Sequence, residues 1–206
     1  QLQAADARVA SAPAAGIPAA QEAGPAAEKE KMMAEAMDLL KRSRGSKDTL
    51  VKALEACRKV VSGDPALAEQ VLAACAQRTQ DYDLLKTVVQ DLSDGPEILA
   101  LFLYNRNAWE KNVKKFNKDM WDTPEAGKYP YYAALAEMAV QTGDFRGAIT
   151  LMEGYVSKCP DNPDANYWIA EKSSYYPKHY TQDFTETFFH KALTLAPDNI
   201  RYQIGF

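Results

Sequence analysis

The feature that most constrains this chain is a run of apolar stripes at helical spacing, each closed by glycine or proline. "EKEKMMAEAMDLLKRSRG" sets Met32, Met33, Met37, Leu39 and Leu40 at helical spacing and stops at Gly45. "KDTLVKALEACRKVVSGDP" repeats the pattern with Leu50, Leu54, Cys57 and Val61, then Gly63 and Pro65. "PALAEQVLAACAQRTQ" opens on a proline, which a helix tolerates in its first turn, and carries Leu67, Val71, Leu72 and Cys75. "YDLLKTVVQDLSDGP" forms a short helix ending at Gly95 and Pro96, and one long helix is expected from Glu97 to Met120. No stretch alternates in the manner of a half-buried strand, so the expected class is all-α.

The 206 residues, 47% hydrophobic and 25% charged, allow a sizeable core in one large domain or a smaller domain with a tail. A net charge of −4 gives no global attraction to nucleic acid, and none is expected as a partner. No apolar run approaches the roughly 18 residues that read as a membrane span, leaving at most a peripheral membrane role. Residues 1 to 28 are dominated by Ala, Pro and Gly without periodicity, which predicts a flexible tether or an arm that extends along a partner. Arg8 is the only basic residue before Lys29, so this stretch is neither an intact secretory signal nor a transit peptide. It reads as a processed chain of an exported or organellar compartment (periplasm or lumen), or equally as an excerpt. Cys57, Cys75 and Cys159 follow no metal spacing; a Cys57–Cys75 bridge is conceivable across the "SGDP" turn, against three buried free thiols.

From Tyr129 to Asn162 the chain reads "YPYYAALAEMAVQTGDFRGAITLMEGYVSKCPDN". Small residues Ala136 and Ala148 let two helices approach, with aromatics filling the space beside them. Gly143 allows a tight inter-helix turn, Pro160 ends the second helix, and "DNPD" caps the next. The stretch resembles a tetratricopeptide repeat: Tyr132, Leu135, Ala136, Gly143, Phe145, Ala148 and Pro160 fall on the motif, while Tyr155 departs from its small position. Pro163 to Asn199 resembles a second repeat with three extra residues around "YYPKHY", ending in Phe189, Ala192 and Pro197. "IRYQIGF" begins a further or capping helix. The resemblance covers residues 129–199; residues 29–122 read as degenerate helical hairpins that are either related repeats or a bundle. The implied architecture is a short α-solenoid of stacked antiparallel hairpins behind the N-terminal arm.

In that family the first helices of the hairpins line a concave face that commonly binds a segment of another protein. The repeat's phase would put Ala133, Glu137 and Val140 there, then Asp164, Tyr167, Glu171 and Tyr175. The face is acidic and aromatic, suiting a basic or amphipathic partner segment rather than a carboxylate-tail clamp of lysines and asparagines. Tyr167 and Trp168 either line it or pack the hairpin. A second candidate is the helix holding Trp109, Val113, Phe116 and Met120 on one face and Lys111, Lys114, Lys115 and Lys118 beside it. It is either a dock for an acidic partner or anionic membrane, or a core stripe with lysines in water. No HExxH, phosphate loop or GxSxG occurs, and His179, His190 and Cys159 form no recognisable catalytic set. "DNPD" suits capping better than calcium. The expectation is a non-catalytic protein-interaction scaffold or accessory subunit of a larger complex, with no cofactor, metal or catalytic residue.

Overall fold

The computed structural model describes residues 24–205. Among them are eleven α-helices and no strand: α1 Pro25–Arg42, α2 Lys47–Val61, α3 Pro65–Ala76, α4 Tyr82–Val89, α5 Gly95–Asn105, α6 Trp109–Asp122, α7 Tyr129–Gln141, α8 Phe145–Val156, α9 Pro163–Ser174, α10 Gln182–Leu195 and α11 Ile200–Gly205. A 3₁₀ turn, Glu125–Lys128, leads into α7. The all-α expectation therefore holds. The helical part begins before the expected arm's end at residue 28, because Pro25 starts α1 in the first-turn position that proline tolerates. The rest of the arm lies outside the described residues.

Local chemistry fixes the starts of these helices. Ser46, Asp81, Asp144, Asn162 and Thr181 each accept a backbone N–H of the first turn that would otherwise be unpaired. The ends are equally specific where the chain must reverse. After α7, Gly143 adopts φ +85°, its N–H donates to Val140 and the next N–H, of Asp144, donates to Ala139. This paired arrangement closes a helix around a left-handed residue.

The single helix expected from Glu97 to Met120 is instead two. Asn107 adopts φ +55°, its N–H donates to the Tyr104 carbonyl at 3.0 Å, and the Ala108 N–H donates to Leu103 at 2.8 Å. That closure has the same bond pattern as at Gly143, with asparagine in the left-handed position it tolerates best after glycine. Trp109 then follows Asn107 at the interval at which Phe145 follows Gly143.

Three packed clusters form the interior. The first joins α1 to α6 through aliphatic side chains such as Leu54, Leu72, Leu85 and Leu103, and it extends into α7 through Tyr131, Ala134 and Met138. The second gathers Ala133, Ala136, Ala148, Met152, Tyr155 and Trp168, and the third Tyr167, Phe189, Ala192 and Tyr202. Helix α7 thus buries one flank in each of the first two clusters. Gly95 lets α4 and α5 meet: a Cβ there would sit 2.2 Å from the Val89 carbonyl oxygen. That approach sets the position of the start of α5.

The α6 stripe belongs to the core. Phe116 is fully buried, edge-on to Trp109 at 4.9 Å and tilted against Tyr131 at 5.1 Å, and Trp109 and Met120 pack on the same cluster. Lys111, Lys114, Lys115 and Lys118 stand in water, and Lys115 reaches back to Asp83 at 2.5 Å. The apolar half expected of a membrane dock is therefore used inside the protein. Cys57 and Cys75 are buried free thiols rather than a bridge.

Candidate functional site

Four alternate helices wall one cavity of about 420 Å³. Helix α5 supplies Glu97, Ile98 and Leu101, with Asp94 just before it. Helix α7 supplies Tyr129, Pro130 and Glu137; α9 supplies Asp164, Trp168 and Glu171; α11 supplies Arg201. The floor is partly apolar and the walls carry five carboxylates, an open concave site of the size that holds ligands.

Three of those carboxylates are held by neighbours. Glu137 Oε1 accepts from Trp168 Nε1 and from Lys172 Nζ, both at 2.7 Å, and the Lys172 ammonium lies 5.7 Å from the Trp168 ring centre. Glu171 Oε1 lies 3.6 Å from the Arg201 guanidinium, which sits over the Tyr167 ring at 4.6 Å. Asp164 Oδ1 accepts from the Tyr202 hydroxyl.

Asp94 and Glu97 differ. Asp94 occupies the cap position of α5 without capping it, and its Oδ1 is buried with no hydrogen-bond partner. Burial, then Glu137 and Asp94, push the Glu97 carboxyl up to about 7, against a smaller opposing pull from Lys172 and Arg201. Burial and then Glu97 push the Tyr129 phenol upward too, so it stays neutral. No group of three His, Cys, Asp or Glu side chains among the described residues is arranged to hold a metal ion.

Of the residues expected on this face, Glu137, Asp164 and Glu171 meet in the cavity. Val140 packs against the second cluster instead, and Ala133 is buried in it. Tyr167 is 6% exposed, stacked on Tyr202 at 4.8 Å and edge-on to Phe189, because its helix position faces α10 and α11. Its hydroxyl alone reaches the site, donating to Glu171. Tyr175 is 66% exposed but lies beyond the end of α9 and does not line the cavity. Tyr155, the departure from the repeat motif, is fully buried between Tyr129 and Tyr132, and its hydroxyl donates to Ala126 O at 3.2 Å. Cys159 is half-buried beside the Tyr155 phenol, and His179 is exposed in the turn before α10.

Sequence reasoning missed Asp94, Glu97 and Arg201. A signal for Glu97 existed: Asn107 and Trp109 stand 36 residues before Gly143 and Phe145. The same interval carries Ala133 back to Glu97 and Glu137 back to Leu101. No family model, curated protein or solved structure matches the chain.

Proposed function

We propose that this chain is a tetratricopeptide-like helical scaffold that holds a basic or amphipathic segment of a protein partner along its inner face, as an accessory subunit of a larger assembly. The observation that carries the reading is the composition of the cavity wall. Leu101, Glu137 and Glu171, spaced 36 and 34 residues apart, come from alternate helices and line one cavity. Stacked hairpins present their first helices in this way, and each adds one side chain per repeat to a shared groove. The matching turns at Asn107 and Gly143 support counting α5–α6 as a further hairpin. Five carboxylates against Arg201 and the adjoining Lys172 leave the groove anionic, complementary to lysine or arginine.

The test is purification of the tagged full chain from its native source, beside Glu171→Lys and a Lys111→Glu/Lys114→Glu/Lys118→Glu variant. Circular dichroism and melting confirm that both variants are folded. A stoichiometric partner lost only with Glu171→Lys is the expected result. Loss only with the lysine variant, or recovery of the chain alone, defeats the groove reading.

A further inference from the structure

Resting on that groove reading, we propose that the anchor of the groove is the corner formed by Asp94 and Glu97, which takes one arginine side chain of the partner segment and gives up a proton as it does so. The corner stands apart from the rest of the cavity. The other three carboxylates are each satisfied by a neighbouring side chain, whereas Asp94 Oδ1 is buried and unpartnered. A buried acceptor without a donor costs free energy, and a docking donor recovers it. Glu97 lies one helical turn further along the same wall, with no hydrogen bond or ion pair among the described residues.

The chemistry selects the cation. The carboxylates do not gather in the threes a metal ion needs, so a cation serving both must reach with several spread donors. A guanidinium presents five N–H groups in a planar fork, where an ammonium is a compact point charge. The groove already holds one such group, since Arg201 lies between Glu171 and the Tyr167 ring. At the corner, Tyr129 supplies an aromatic neighbour, and Ile98 and Leu101 supply apolar wall for the methylene stem.

The proton follows from the surroundings of Glu97. Facing it are Asp94 beside it, Glu137 and the neutral Tyr129 phenol of α7, Lys172 of α9 and Arg201 of α11. With its carboxyl pushed up to about 7, close to half the molecules carry that proton at neutral pH. A guanidinium favours the ionised form. The step is the neutral acid plus the arginine cation going to the carboxylate–guanidinium pair plus a proton released to buffer. Binding therefore weakens as pH falls through the free-state value, by about tenfold in all, and levels off above it.

The experiment is calorimetric titration of the full chain with the peptide acetyl-Ala-Leu-Arg-Ala-Leu-amide, its citrulline counterpart and spermidine, in phosphate and in Tris. The arginine peptide is expected to bind at least about tenfold more tightly than the citrulline peptide, the worth of a charge-assisted pair. The difference in heat between the two buffers at pH 7 should report about half a proton released. Glu97→Gln should bind about tenfold more weakly than the native chain at pH 8, match it at pH 5.5 and release no proton. Binding lost with Glu171→Lys but unchanged in Glu97→Gln, with no proton released, overturns the inference and leaves the groove reading intact. So does an arginine peptide that fails to bind while the native partner is still lost with Glu171→Lys; failure of both overturns the reading as well. Spermidine binding as tightly as the peptide would make this a small-cation site and also defeat the inference.

Discussion

The two ends of the molecule reach stability by different routes. Helices α1 to α6 share one large cluster built mainly of aliphatic side chains, with Leu54, Leu72, Leu85, Leu99 and Leu103 almost fully removed from water. Helices α7 to α11 use smaller clusters in which small residues admit large rings: Ala136 and Ala148 beside Tyr155 and Trp168, then Ala192 beside Tyr167 and Tyr202. Only the second style leaves a recognisable sequence signature, because close helix approach demands alanine or glycine at fixed places. Many leucine arrangements fill an aliphatic core equally well. The region richer in motif is thus not the region richer in core. The cavity draws on both, with Asp94 and Glu97 from one and Glu137, Asp164 and Glu171 from the other.

The largest effect should come from Phe116, which ties the two regions together through Trp109 and Tyr131. Phe116→Ala is expected to cost about 3–5 kcal/mol, the toll of emptying a buried aromatic site. Because α7 buries a flank in each of the first two clusters, the loss should appear as one shifted transition in urea unfolding followed by circular dichroism. Two transitions, with only the earlier one moved, would mean that the regions fold as separate units.

Glu97 is the next lever and has the opposite sign. Its carboxyl sits near 7 in the folded protein and returns to the ordinary range near 4.5 on unfolding. The folded state therefore keeps a proton that the unfolded state releases between those values. Stability is full below about pH 4.5, declines as pH rises towards 7 and is flat above. The loss is at most about 3 kcal/mol, at 1.36 kcal/mol per pH unit. Glu97→Gln, neutral throughout, should stabilise the protein by up to that amount at pH 8 and change nothing at pH 4. A difference between variant and native chain that is the same at pH 4 and pH 8 would mean that Glu97 is well solvated.

How far the sequence foretold these features depends on how local each one is. Helical spacing and proline or glycine punctuation depend on neighbours a few residues apart, so the all-α class and most helix ends were legible. The break between α5 and α6 was not, because asparagine only tolerates the left-handed conformation where glycine would advertise it. Losing that break hid the turn at Asn107, and with it the 36-residue interval that carries Ala133 back to Glu97. Glu137, Asp164 and Glu171, expected on one face, do line one cavity together. Tyr167 packs against Phe189 and Tyr202, one of the two readings left open, because whether an aromatic faces a groove or the next helix depends on α10 and α11. Arg201 lies beyond Asn199, where the resemblance to the repeat motif ends, so no motif position points to it.

The two matching turns give the finest test of the comparison. If Asn107 and Gly143 do the same work, Asn107→Gly should stabilise by about 0.5 kcal/mol, since glycine adopts positive φ without the steric cost that asparagine retains. Gly143→Asn should cost a similar small amount. Gly143→Ala should cost about 1–2 kcal/mol, and that cost is backbone strain alone, because an added Cβ there meets nothing within 4 Å. Urea denaturation of the three variants resolves these differences. A destabilised Asn107→Gly would show that the asparagine side chain contributes something glycine cannot. The upstream turn would then be a local solution of its own rather than a worn copy of the downstream one, and α5–α6 would no longer share a turn device with α7–α8.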